Sequence, residues 1–265
     1  MLFRSDRLGA ELSTSADATS SMLHATVIRR NLEPFLEMLG DIVTEPALPF
    51  YEVAQVAREI RAEIIDARDD DRTLAGRHFR RALFEGHPFG RPAQGTPRTL
   101  ERLSRADADA AWRRAFRRDN VIIAAAGDIR PAELEAFATR TLGNLGAAPT
   151  RPDALPEPAP RKGRHLVLID KPARTQTQVY IGALGTSPRD RDHLAFTVGN
   201  TIFGGTFTAR LMREIRSKRG WSYGASSRLG REKVRDAWSM WTFPAAADAG
   251  PCIALQLKML QKLVE

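Results

Sequence analysis

His24, His78, His87, His165 and His193 are the five imidazoles of the 265-residue chain. No two of them stand three or four residues apart, so no helix turn can present a pair of them to one metal ion. Cys252 is the single cysteine, which removes intrachain disulfides and CxxC-type zinc or redox sites. No Gly-x-Ser-x-Gly elbow, phosphate loop or dinucleotide fingerprint occurs. Glu59 and Glu63 lie four apart on one face of a helix-periodic segment, with Asp66 and Asp69-Asp70-Asp71 just beyond. Such acids are candidates for site chemistry, and equally for a solvated face paired with Arg58, Arg61 and Arg68. His87 falls in a loop and His24 on a strand face, which are ordinary structural positions.

Forty basic against 32 acidic residues give a formal net charge of +8 and a sequence pI near 10.2. Six of the basic residues are lysine and the other 34 arginine, spread along the chain with acids between them. The densest groups, Arg113-Arg114 with Arg117-Arg118 and the run from Arg213 to Arg219, have helical spacing and match no nucleic-acid signature. No nucleic-acid partner is therefore expected. At 43% hydrophobic and 27% charged residues the composition is globular. No run approaches the ~18 apolar residues of a membrane span, and the opening residues do not read as a signal peptide.

Prolines 149, 152, 156, 158 and 160 crowd a segment that cannot be helix or sheet interior, which predicts a linker at 148–163 between domains at 1–147 and 164–265. In the first half Asn31 is expected to cap a helix with the stripe Leu32, Phe35, Leu36, Leu39 and Val43. Helices are expected over 50–67 and 72–84, a loop over 86–92, and a β-branched strand over 120–128 before a helix opened by Pro131. In the second half, strands are expected over 164–170 and 176–182, then an amphipathic helix over 190–203 and, after Gly204-Gly205, another to 218. A strand pair over 223–229 and 237–243 precedes a last helix capped by Asp248. Mixed strands and helices in both halves predict α+β layers.

Gly220 to Ser226 can be laid over Gly9 to Ser15 at an offset of 211, matching the glycine and the final serine. In each copy a helix ends and a strand begins at the glycine. By this ruler the first half is expected to lack its start and the second its end, exposing apolar faces.

Several segments in order resemble the pitrilysin/insulinase and mitochondrial-processing-peptidase type of zinc metallopeptidase. In the first half they are Arg58-Glu59-Ile60-Arg61-Ala62-Glu63-Ile64 with Asp69-Asp70, then Leu83 to Pro92 containing Gly86-His87-Pro88-Phe89-Gly90-Arg91 with Gly95-Thr96, then Asp119-Asn120 to Gly127-Asp128. In the second they are Phe203-Gly204-Gly205-Thr206-Phe207 and Leu211 to Gly224, the most specific stretch.

The resemblance implies two similar α+β halves forming a clam-shell around an unfolded peptide. It implies a zinc site in the complete enzyme, built on an inverted His-x-x-Glu-His helix that these residues lack; Glu63 matches the family's downstream zinc-ligand position. Arg216 and Tyr223 match an arginine and tyrosine that hold the substrate backbone and help stabilise the transition state. The chain is thus expected to be a piece of such a metalloendopeptidase, or a zinc-free substrate-binding subunit partnered by a zinc-bearing sister chain or by a second copy. Alone it is expected to hold no zinc and to be inactive. The resemblance leans to a bacterial periplasmic location for the complete protein. The competing reading is a basic adaptor for nucleic acid or an anionic surface, without catalysis.

Overall fold

In the computed structural model, which describes residues 6–146 and 155–264, two glycines turn the chain into its hairpins. Gly9 (φ +57°) stands just before strand β1 (Glu11–Ala16), and Gly220 (φ +66°) ends a helix before strand β4 (Ala225–Leu229). A left-handed backbone is open to glycine without a Cβ penalty, and the two glycines are the pair brought together by the 211-residue offset. Strand β2 (Ser21–Thr26) follows β1. Downstream come α1 (Leu32–Thr44), α2 (Phe50–Asp66), α3 (Asp71–Leu83), α4 (Pro97–Leu100), α5 (Arg105–Ala115) and α6 (Pro131–Gly143). Then follow β3 (Val179–Leu184), α7 (His193–Asn200), α8 (Arg210–Met212), β4, β5 (Ala237–Thr242) and α9 (Ala246–Val264).

The described residues pack as two units, one within 1–63 and 93–154, the other within 64–92 and 155–265. In the first, β1 and β2 pair antiparallel from Glu11 opposite Thr26 to Ala16 opposite Ser21. Asp17 closes the turn by accepting the Thr19 and Ser20 backbone N–H groups at 2.7 Å. Ala10, Phe35, Met38 and Ile42 form the buried core, so α1 buries the stripe at i, i+3 and i+7. Trp112 of α5 lies against this cluster and donates its indole N–H to the Val43 carbonyl at 3.0 Å. Asn31 does not cap α1 with its side chain. Its amide nitrogen donates instead to the Leu8 carbonyl, 2.8 Å away, tying the helix start to the residues before β1.

The second unit is built on a three-stranded antiparallel sheet in the order β3-β5-β4. Thr242 of β5 is opposite Val179 on one side and Ala225 on the other. Its core gathers Phe203, Leu211, Ile215, Ala225, Trp238, Met240 and Cys252. Helix α3 packs on the β3 side: Phe79 stacks on Tyr180 at 5.7 Å between ring centres, and Arg80 pairs with Asp236 at 3.0 Å. His87 is buried there, accepting the Phe89 N–H at Nδ1, so its other ring nitrogen donates to the Pro156 carbonyl at 2.9 Å.

Two expected strands are not formed. Residues 120–128 and 164–170 carry the β-branched or alternating pattern, yet neither joins a ladder, and Ile122, Leu166 and Leu168 stand 95%, 89% and 84% exposed. Strand propensity describes fit to a neighbouring strand, and among the described residues none lies beside these runs. Asp248 also does not cap the last helix. It sits in the first turn of α9, its N–H donating to the Ala245 carbonyl, because the helix begins two residues earlier.

Candidate functional site

Leu211 and Ile215 are fully buried, and this pair anchors the helical stretch that carries Arg216. After Met212 the helix widens into a π-type turn over Arg213–Ser217, where the Lys218 N–H reaches five residues back to the Arg213 carbonyl at 3.0 Å. The stretch stops at Gly220, whose N–H donates to the Arg216 carbonyl at 2.9 Å in the manner of a left-handed helix cap.

Tyr223 is held by its neighbours on both sides. The buried Ser222 hydroxyl donates to the Gly224 carbonyl at 2.6 Å and accepts the Phe243 N–H at 2.9 Å. A Cβ on Gly224 would lie 2.9 Å from the Phe243 ring, so the backbone runs tight against β5 there. With its flanks fixed inward, the Tyr223 side chain points out and is 73% exposed.

The Arg216 guanidinium lies between two exposed rings, 4.1 Å from the centre of Tyr223 and 5.1 Å from that of Phe207. A cation over an aromatic face is attracted by the ring quadrupole and is not neutralised by it. The carboxylate nearest in sequence, Glu214, is engaged elsewhere: Oε1 accepts the Lys218 ammonium at 2.6 Å and Oε2 the Arg219 guanidinium at 2.9 Å. The hydrogen bond from Lys218, then that from Arg219, hold the Glu214 carboxyl below the usual carboxylate range. Arg216 itself has no ion-pair partner among the described residues. Its planar fork of donors is therefore seated and still charged, as recognition of a carbonyl or carboxylate requires.

Phe207 was given no role by residue type or spacing. The signal for it was an aromatic directly after Gly204-Gly205-Thr206 in the most specific segment. The glycines matter locally: a Cβ on Gly204 would lie 2.5 Å from the Ser227 hydroxyl and 2.7 Å from its backbone nitrogen, so this turn presses directly on β4. Asn200 fastens the same turn, its Oδ1 accepting the Ser227 hydroxyl at 2.7 Å and the Trp238 indole N–H at 2.8 Å.

The structure brings Arg216 and Tyr223 together, whereas Glu63 belongs to the other packing unit, exposed on α2. The acids around Glu63 find partners other than those their spacing suggested. Glu59 accepts the Gln55 side-chain amide at 2.9 Å, and Arg61 pairs with Glu101 at 2.9 Å. Asp71 takes Lys171 and Arg174. Among the described residues no group of three or more His, Cys, Asp or Glu could hold a metal ion. Zinc needs about three protein ligands and Glu63 is one carboxylate, so the described residues do not fit a zinc site.

The family model described as the peptidase M16 inactive domain matches residues 102–265. An uncharacterized zinc protease of Mycobacterium tuberculosis is 30% identical over 233 residues, covering 84% of this chain and 51% of that protein. Subunit 1 of the mitochondrial cytochrome b-c1 complex of Homo sapiens is 24% identical over 204 residues, 75% of this chain and 42% of that protein. The chain spans about half the length of the curated relatives it matches. The crystal structure of a peptidase M16 inactive domain from Pseudomonas fluorescens shares the fold at a TM-score of 0.87 and 24% identity, over 97% of this chain and 62% of that one. Taken with the Phe203 to Gly224 segment and the α+β fold, the match establishes that the chain belongs to the pitrilysin-like M16 family of zinc metallopeptidases.

Proposed function

We propose that this chain supplies the peptide-gripping side of a zinc metalloendopeptidase that acts on unfolded peptides. The observation that carries the reading is the seating of Arg216, charged, without a carboxylate partner among the described residues, and aligned by Tyr223 and Phe207 at an open surface. An extended peptide offers backbone carbonyls as acceptors. Arginine can donate to such an oxygen through two N–H groups, and the Tyr223 hydroxyl would add a third donor. These bonds strengthen as negative charge develops on the carbonyl oxygen, which favours the transition state over the ground state. The phenol ring also restricts the guanidinium before substrate arrives, lowering the ordering cost of the contact.

Glu63 is proposed as the chain's contribution to a zinc site whose remaining ligands lie outside the described residues. They would come from the rest of a longer chain or from a sister subunit, and the similarity to a subunit of the cytochrome b-c1 complex supports the second arrangement. The test is titration of the chain with a fluorescently labelled unstructured peptide, read by anisotropy. Saturable binding that Arg216→Ala weakens about tenfold or more, the loss of one charge-assisted bond, is expected. Absent binding, or binding that Arg216→Ala leaves unchanged, would overturn the proposal.

A further inference from the structure

Away from the rings of Tyr223 and Phe207, a cavity of about 330 Å³ opens between α8 with its wide turn and helix α9. Five cations surround it: Arg210, Arg213 and Arg219 from the first stretch, Lys258 and Lys262 from the second. Their spacing explains the convergence. Arg210 and Arg213 are three apart on one helical face, and Lys258 and Lys262 four apart on the other. One acid, Glu214, lines the same cavity, and both its oxygens are taken by Lys218 and Arg219. Arg210, Arg213, Lys258 and Lys262 have no ion-pair partner among the described residues. The four side chains are exposed, and their convergence on one small cavity gives it a positive potential that attracts an anion.

The floor is not polar. Phe203 is buried beneath it, and the half-buried Leu255 and Met259 complete an apolar base. Low-dielectric walls strengthen the field of the surrounding cations, and the volume suits a small ligand or headgroup and not a protein surface.

We propose that this cavity binds a phosphate-bearing anion, with phosphoryl oxygens bridging Arg210 and Arg213 on one side and the α9 lysines on the other. Arginine offers a bidentate fork and lysine a compact point charge, a combination suited to phosphoryl groups. The site is separate from Arg216 and independent of the peptidase reading. Its ligand is a soluble phosphate compound or the headgroup of an anionic lipid.

Isothermal titration of the 265-residue chain with inorganic pyrophosphate tests it, alongside co-sedimentation with phosphatidylcholine vesicles with and without phosphatidylserine. Saturable pyrophosphate binding near one per chain is expected, weakening as salt is raised. The double variant Lys258→Gln/Lys262→Gln, and separately Arg213→Gln, should each weaken it about tenfold or more. Arg113→Gln/Arg114→Gln, a basic pair on α5, should leave it unchanged. Pyrophosphate binding with phosphatidylserine-dependent sedimentation that pyrophosphate competes away identifies a lipid headgroup as the source. Pyrophosphate binding without sedimentation identifies a soluble phosphate. No saturable pyrophosphate binding, the same affinity in both cavity variants, or an equal loss in the α5 control would overturn the site; circular dichroism and Tm of each variant separate these results from misfolding.

Discussion

Arg216 and Tyr223 touch through a face, the guanidinium carbon 4.1 Å from the ring centre, so the ring orients the cation while the phenol oxygen at its edge stays free for a ligand. The two groups act differently and can be separated. In the complete peptidase that the proposed function assigns, Tyr223→Phe would keep the aromatic face and remove one donor, and Arg216→Ala would remove the fork. Each should lower kcat/KM by ~10²-fold or more, the scale of one lost oxyanion donor, with Tm nearly unchanged because Tyr223 is exposed and Arg216 is outside the buried core. Full activity in either variant, measured with a quenched peptide substrate, would make the pair structural.

Gly204→Ala should destabilise the second unit by roughly 1–3 kcal/mol, the usual cost of overpacking. The added methyl would meet the Ser227 backbone nitrogen as well as its hydroxyl, so rotating the serine side chain cannot relieve it. Urea unfolding followed by tryptophan fluorescence measures the loss, since Trp238 lies in the affected core.

Asn200→Leu should cost a similar amount for a different reason. It leaves the Trp238 indole N–H and the Ser227 hydroxyl without their shared acceptor in a buried region, at about 1–3 kcal/mol of desolvation. Asn200→Asp, which keeps an acceptor in place, should retain more stability than Asn200→Leu in the same urea titration.

The Glu133 carboxyl is lowered from 4.5 to about 2, chiefly by the Arg130 side chain, then by Arg29 and the Arg130 backbone N–H at the start of α6. A carboxylate with a depressed pKa adds stability above its unfolded value and loses it as pH falls through the folded one. Glu133→Gln should therefore be less stable than the parent at neutral pH. The gap should narrow from about pH 4.5 downward and close near pH 2. A gap that widens on acidification, in thermal melts across that range, would contradict the assignment.

Elemental analysis of the purified 265-residue chain should find well below one zinc per chain, since Glu63 brings a single carboxylate. One tightly held zinc per chain would overturn this expectation.

Leu166 and Leu168 should bind hydrophobic dyes strongly. Leu166→Ser/Leu168→Ser should reduce dye fluorescence and light scattering while leaving the melting temperature in place, because side chains this exposed contribute little to the core.

The helices over 50–66 and 71–83 and the pairing of 225–229 with 237–242 were legible in the sequence because each is encoded locally, in apolar period and flanking turns. The runs at 120–128 and 164–170 were misread since their residues report only willingness to pair, and the partner is a property of the rest of the fold. The partners of Asp71 lie about a hundred residues away, beyond any spacing rule. At the site, the motif marked Arg216 and Tyr223 as a pair. The second ring, Phe207, stands in the same motif, but its place over the guanidinium is set by the turn between Gly205 and Arg210, which no spacing rule encodes.

The wide turn at Arg213–Ser217 also fixes the phase of everything beyond it. Each residue advances a helix by about 100°, so removing a single residue within this turn, or tightening it to a regular α-helix, would swing Arg216 relative to the buried Leu211. The guanidinium would then leave its aromatic seat with no change in its chemistry or in the residues around it. Chain length between Leu211 and Gly220 thus sets where the Arg216 guanidinium sits. One-residue deletions in this interval should be far less tolerated than side-chain replacements at Arg213 or Ser217, which face outward and leave the winding intact.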